Sequence, residues 1–417
     1  MDRRRTPCCF CLDKKLWQTF FQIRKEDFHE KKCSVPCPIC LFVCLFAGRM
    51  YLCSPVYRLL IGTNLALSGK GMSYSASTER GIELAKDIVN ERGGLLGKPV
   101  QLVSVDNHGK PEDAVAAIQQ LNVRHVSAII GPDITDCTRA VIPNVEAVKI
   151  PLISPAGTQP DITVDIRANE VYQYMFRAAF IDASQGRAMV DYARHNLHAG
   201  RAAVFYYPDK MYAQGLAEYF RSAFLAGGGE VPIFRAVSDP GELVQVVAEL
   251  KADGVDVIYL PGYDDWTIPA IKVLRSQGIS VPLLGPDGWN SLKMEKDIEP
   301  QYLTNLYYTD HYAGNESSEA ARQFSQAYYE KYGVWPDGYA ALGYDAFMMT
   351  AAAISRCQSG DPTEVATELV KTIDYQGATG TISLDANHDA IKDVFILTFK
   401  DGEPELAATI PPDYQMQ

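Results

Sequence analysis

The 417 residues include 51 Asp and Glu against 39 Lys and Arg, and 47% of the chain is hydrophobic. That length suffices for two lobes with sizeable cores, and the composition excludes collagen-like and disordered classes. Residues 1–58 hold 11 Lys/Arg and 5 Asp/Glu, whereas residues 59–417 hold 28 and 46. So acidic a body argues against nucleic acid and anionic membrane as partners and leaves small ligands open.

Eight of the ten cysteines precede residue 54, leaving only Cys137 and Cys357 in the body. Cys33, Cys37, Cys40 and Cys44 have a spacing open to an iron–sulfur or zinc reading. They lie in or beside the apolar run ICLFVCLFAG (39–48), which follows a basic flank. A basic flank, a short apolar run and small residues form the layout of a secretory signal, too short for a confident membrane span. Residues 1–56 are therefore set apart as an atypical N-terminal extension, and a periplasmic or extracellular location is expected.

From Arg58 a strand–helix alternation begins. LLIGTNLAL (59–67) reads as a buried strand, 77–94 as a helix ending at Gly93-Gly94, and 100–107 as a second strand. PEDAVAAIQQLN (111–122) opens a helix with Pro at its first position and two acids in its first turn. A strand at 127–132, a helix at 135–148 and a strand at 150–155 follow. The pattern then restarts with strands at 201–207, 231–237, 255–262 and 281–288 and helices at 212–226, from 240, and at 266–277. Helices at 317–332, 339–356 and 362–372 precede an antiparallel-looking pair, GTISLD and DVFILTF. Two such runs predict an α/β fold of two doubly wound, Rossmann-like lobes with parallel sheets covered on both faces.

In open parallel sheets, ligands gather beyond the carboxyl ends of the strands. The loops there carry hydroxyls, tyrosines, amides and acids but no complete enzyme motif. SGKGMS lacks the P-loop pattern, and GKGMSY has Tyr where a dinucleotide loop needs its third Gly. No GxSxG or HExxH occurs, and the seven histidines are scattered. A non-enzymatic protein without metal or cofactor is expected. ISPAGT (153–158) is open to two readings: a plain turn, or backbone bared so that a ligand can touch it.

LSGKGMSY, VNERGGLLGKPVQLVSVDN, IIGPDITDCT, ISPAGTQPDIT, FRAAFIDASQG, YYPDKMYAQGL, VIYLPGYDD and LLGPDGWN occur in that order. In these segments, across about 350 residues, the chain resembles the type I periplasmic binding proteins. In particular it is similar to the leucine/isoleucine/valine-binding receptors of ABC transporters. The resemblance implies two hinged lobes closing on a ligand: residues 57–177 with about 309–378, and 178–308 with about 379–417. It implies that the α-carboxylate of an amino acid meets Thr135 and the backbone around Ala156, Gly157 and Thr158. The α-ammonium would meet the Ala156 carbonyl, the Thr158 hydroxyl and Asp287, although PDG alone also reads as a turn. Tyr74, Tyr212 and Tyr263 would wall the site, with Trp289 and Trp335 as candidates for the side-chain pocket.

Asp133 departs from the family, which tends to have an apolar residue there; it is expected either to face solvent or to meet a polar or cationic side chain. The implied function is capture of a hydrophobic or branched-chain amino acid by a monomeric receptor that delivers it to an ABC permease. The alternatives are a sensor for amides or aromatic acids, and an α/β enzyme using Asp287 or Asp133 as a base. The sequon at Asn315 reads as a loop accident.

Overall fold

The computed structural model describes residues 43–46, 49–52, 58–69, 71–293, 298–314 and 318–412. Most of the signal-like segment and the Asn315 sequon lie outside these residues. The chain divides into Met1–Val56 and a compact unit, Tyr57–Gln417. The first contributes an antiparallel pair, β1 (Val43–Phe46) and β2 (Arg49–Leu52).

In the second unit the alternation runs β3 (Leu59–Leu65), α1 (Met72–Glu91), β4 (Val100–Asp106), α2 (Pro111–Asn122), β5 (Ile129–Ile130), α3 (Thr135–Val148) and β6 (Leu152–Ser154). A small hairpin, β7 (Val164–Asp165) and β8 (Glu170–Val171), precedes β9 (Met175–Arg177). The first sheet has the order β4-β3-β5-β6-β9, all parallel. Its central strands are buried on both faces, which is why they read as unbroken apolar runs: Ile129, Ile130, Leu152 and Ile153 are all fully enclosed.

The second run is α4 (Asp182–His195), β10 (Arg201–Tyr206), α5 (Met211–Ala226), β11 (Glu230–Ala236), α6 (Val247–Ala252), β12 (Val257–Tyr259), α7 (Asp264–Ser276), β13 (Leu283–Gly285) and β14 (Leu306–Asp310). After it come α8 (Glu319–Tyr332), α9 (Gly338–Cys357), α10 (Pro362–Leu369), β15 (Tyr375–Gly377), β16 (Gly380–Leu384), β17 (Ala390–Ile391), β18 (Val394–Lys400) and β19 (Glu403–Ile410). The second sheet has the order β11-β10-β12-β13-β14-β18-β19, parallel through β14 and antiparallel at β18 and β19. Alternate residues serve opposite faces: Ala203, Phe205, Ile258 and Leu283 enter one core, Val204, Val257, Tyr259 and Leu284 another. Among the described residues, no helix is long and apolar enough to cross a membrane.

Three local readings change. Helix α1 starts at Met72 rather than 77, behind Gly71 in the left-handed region (φ 83°), so Tyr74 lies in its first turn. The segment from Pro240 is a 3-10 helix to Val246 before α6 begins, since Gly241 and three valines within residues 244–247 favour the α form weakly. GTISLD and DVFILTF do not pair with each other. The former, β16, pairs with β15 and β17, while the latter, β18, joins β14 and β19. Strand alternation fixes which face is buried, not which partner is taken.

The chain leaves the first sheet for the second at residues 178–181, leaves the second from residue 311 after β14, and re-enters it at 392–393 between β17 and β18. On the first sheet's side, α9 packs against α1 across two glycines. A Cβ on Gly81 would meet the Ala340 carbonyl oxygen at 1.9 Å, and one on Gly343 would meet that of Thr78 at 2.3 Å. Backbone cannot yield as a side chain can, so Gly81→Ala is expected to destabilise the protein by about 3 kcal/mol. Urea unfolding checks this; an unchanged midpoint would contradict the close helix approach.

Candidate ligand-binding cleft

The strand-end loops of both sheets converge with the first turns of the helices that follow them. From the first sheet's side come Tyr74 in α1, Asp133 and Ile134 before α3, and Ala156 after β6. From the second come Tyr212 in the first turn of α5, Tyr263 just before α7, and Asp287 after β13; Tyr339 is added by the first turn of α9. Together these residues line a cavity of about 10 Å³. Such a space holds at most about one water molecule, so the cleft is closed.

Four phenol rings form most of its wall. Tyr212 and Tyr263 stack at 4.8 Å between centroids, Tyr74 lies 5.8 Å from Tyr263, and Tyr339 lies 4.9 Å from Tyr74. Burial, with the nearby Asp287 charge adding to it, pushes the Tyr212 and Tyr339 phenols well above the usual range; burial does the same to Tyr263. All three therefore stay neutral and able to donate. Asp287, 4% exposed, receives Tyr212 Oη at Oδ1 (2.5 Å) and His311 Nε2 at Oδ2 (3.1 Å). Tyr212 Oη in turn accepts the Gly288 N–H at 2.9 Å. Among the described residues, no lysine or arginine pairs with this carboxylate.

Polar contacts span the closed cleft. The Asp264 N–H donates to Tyr74 Oη at 3.2 Å, and Gln159 Nε2 donates to the Met211 carbonyl at 3.1 Å. Lys210 approaches Asp136 at 3.7 Å. Behind the cleft, Gln185 donates to Asp182 Oδ1 and accepts from the Asp287 N–H and the Thr309 hydroxyl. Burial raises the Asp182 carboxyl to about 7.

Asp133 is 5% exposed, so it does not face solvent. Its oxygens accept the Ser75 hydroxyl at 2.8 and 2.9 Å and the Thr78 hydroxyl at 3.2 Å, and burial raises its carboxyl to about 6. Thr135 is buried at the start of α3 with its hydroxyl facing the Tyr263 phenol. Gly157 lies one residue beyond the wall, with both backbone groups engaged: its N–H donates to Ser154 Oγ and its carbonyl accepts from Arg177. The Thr158 hydroxyl faces the Asp182 carboxylate outside hydrogen-bonding geometry.

The two tryptophans stand apart from the cavity. Trp289 is fully buried in the second lobe's core, its indole N–H donating to the Leu260 carbonyl. Trp335 is 52% exposed, stacked on Tyr329, and lines a separate cavity of about 420 Å³. A bulky aromatic beside a strand end is equally suited to either fate, which sequence does not separate. Tyr339, Ile134, Gln185 and His311 were missed by sequence reasoning. Ile134 lies between the candidates Asp133 and Thr135, and Gln185 lies within FRAAFIDASQG; neither Tyr339 nor His311 follows a strand that the sequence pattern predicts. Among the described residues no group of His, Cys, Asp and Glu could hold a metal ion.

The relatives agree with this architecture. A leucine-binding protein of Thermotoga maritima MSB8 is 32% identical with a TM-score of 0.77, covering 85% of this chain and 99% of its own. A branched-chain amino acid transporter substrate-binding protein of Streptococcus pneumoniae, solved with isoleucine, is 28% identical at a TM-score of 0.74 over 85% and 99% of the two chains. The Leu/Ile/Val-binding protein homolog 2 of Brucella abortus (strain 2308) is 24% identical over 86% of this chain and 93% of its own. Residues 59–404 match the periplasmic binding protein family, and the chain belongs to it.

Proposed function

We propose that this protein is an extracytoplasmic receptor that captures a hydrophobic α-amino acid by lobe closure and delivers it to an ABC permease, without catalysing a reaction. The observation that carries the reading is Asp287, buried in the cleft wall opposite Ala156 and among neutral donors. A carboxylate so placed gains most from an ammonium group, since a charge-assisted hydrogen bond is about twice as strong as a neutral one. Across the cleft, the N-terminus of α3 at Thr135 offers peptide N–H groups and the positive end of a helix dipole, which suit an α-carboxylate. The tyrosine rings, Ile134 and Ala156 supply a mostly apolar wall for the side chain. The relatives solved or described as binding leucine, isoleucine or valine support the choice of a hydrophobic amino acid.

Closure is then the working step. Contacts from both lobes favour the closed form, and a permease that recognises that form reads occupancy. The cavity of about 10 Å³ is too small for any amino acid, so binding also requires the tyrosine wall to move outward.

A second reading is favoured by Asp133. A carboxylate in the cavity wall, met by hydroxyls and backbone N–H groups but by no cation among the described residues, suits a ligand whose side chain carries a hydrogen-bond donor. A thermal-shift screen of all proteinogenic amino acids, aromatic acids and amides separates the readings, since the true ligand raises the melting temperature by linkage. Stabilisation by leucine, isoleucine or valine alone supports the first reading; stabilisation only by basic, hydroxyl or amide side chains supports the second. Failure of every α-amino acid overturns both.

Asp287→Ala is expected to weaken amino-acid binding by about 2 kcal/mol or more, measured by calorimetry. Near-native affinity would remove Asp287 from the site. A pH prediction follows from Asp133. Its folded-state carboxyl titrates at about 6 against an ordinary 3.8. The folded protein therefore holds this proton more tightly than the unfolded chain. The resulting stability is fully present below about pH 4 and lost as pH rises through about 6. Asp133→Asn cannot ionise, so its unfolding free energy, measured by urea titration, should gain on the wild type's between pH 4.5 and 8, by on the order of 3 kcal/mol at the upper end. A gap that does not change with pH would contradict the burial of a charged Asp133.

A further inference from the structure

His311 does not line the cleft but stands directly behind the residue proposed to take the ligand's ammonium group. It follows β14, at the start of the segment by which the chain passes back toward α8. Its ring is 2% exposed and stacks on Phe180, which lies in the crossing segment after β9, at 3.6 Å between centroids and 25°. Nε2 reaches Asp287 Oδ2 at 3.1 Å, while Nδ1 is buried without a hydrogen-bond partner. Asp287 and Lys392 are the charged groups that act on the ring. The backbone N–H of His311 donates to Asp310 Oδ1 at 2.6 Å, which fixes the ring's root.

With the Asp287 carboxylate as acceptor, Nε2 carries the hydrogen and Nδ1 is the bare nitrogen. Burial and the Lys392 charge hold the imidazole neutral, its pKa lowered to about 4. A neutral donor fastened to a hinge ring turns Oδ2 away from the cleft and leaves Oδ1 to face it. Oδ1 is met there by Tyr212 Oη, a group that belongs to the cavity wall and can be exchanged for a ligand.

We propose that His311 is the positioning residue of the ammonium subsite: donating from Nε2 and braced on Phe180, it aims Asp287 Oδ1 into the cleft and ties its orientation to the crossing strands. This rests on the amino-acid reading given above, and it assigns a role to a residue that would never touch the ligand. Removal of the donor leaves Oδ2 unmatched in a buried place, so the carboxylate rotates or takes up a proton, and the ammonium loses its partner.

The test compares L-leucine with 4-methylpentanoate, which lacks the ammonium group, by calorimetry on the full chain. His311→Phe keeps the stack on Phe180 and deletes the donor; His311→Gln keeps an N–H donor. The wild type should prefer leucine, His311→Phe should lose at least tenfold of that preference with little change for the deaminated acid, and His311→Gln should restore most of it. A merely structural role would weaken both ligands alike, and that result overturns the proposal, as does an undiminished preference in His311→Phe. A wild type that binds the two ligands equally well overturns the amino-acid reading and the proposal with it. Should His311→Phe not fold, ¹⁵N NMR of the wild-type imidazoles decides. A neutral ring protonated at Nε2 at pH 7, with its resonance moved by leucine and not by 4-methylpentanoate, supports the role. An imidazolium, an Nδ1–H tautomer or an unmoved resonance overturns it.

Discussion

The Asp287 carboxylate lies buried between the lobes with a donor on each oxygen, a phenol at one and an imidazole at the other. A buried carboxylate with no cation among its described partners is costly unless hydrogen bonds replace its water. The surrounding structure is arranged to supply them: Tyr212 at the start of α5, His311 on a crossing segment, and Gln185 accepting the residue's own N–H. Each comes from a different element, so the carboxylate is held only when the second sheet, its helices and the crossings are assembled together. The site is thus a consequence of the fold rather than an addition to it.

The two sheets have separate apolar cores, and what joins them across the cleft is the Tyr263 ring, packed against both, and a few polar contacts. Hydrogen bonds such as Asp264 N–H to Tyr74 and Gln159 to Met211 contribute about 1 kcal/mol each net. The Lys210–Asp136 contact, its side chains 30% and 33% exposed, adds little at 3.7 Å. A closed form held by a few such contacts differs from an open one by only a few kcal/mol. That is the range in which one small ligand can shift a population. Larger apolar interfaces across the cleft would have fixed it shut.

The body of the fold was legible in the sequence because the central strands of both sheets are buried on two sides. Parallel strands so enclosed read as unbroken apolar runs, and the helices between them carry ordinary start signals such as Pro111 with Glu112 and Asp113. What failed was pairing and local helix type, since neither the partner of β18 nor the 3-10 turn at 240 is encoded by periodicity. The cleft was legible where it coincides with strand ends, as for Ala156, Tyr263 and Asp287. Tyr339 and His311 escaped because they come from segments far along the chain, brought near by the crossings. Trp289 was misjudged for the opposite reason: it neighbours Asp287 in sequence, but its side chain turns back over Gly285 into the core.

Tyr212 has a double character in this arrangement. In the closed cleft its hydroxyl donates to Asp287 and accepts from Gly288, so the phenol is satisfied on both counts. On the amino-acid reading, an incoming ammonium does not add a hydrogen bond to Asp287; it replaces a neutral one with a charged one. The net gain at this point is the difference between the two, which is smaller than either alone. Discrimination for amino acids over similar uncharged molecules then depends on how well the ammonium outcompetes a phenol already in place. A tyrosine that can close the site by itself lowers affinity, and by the same means it rejects ligands that offer no charge to exchange for it.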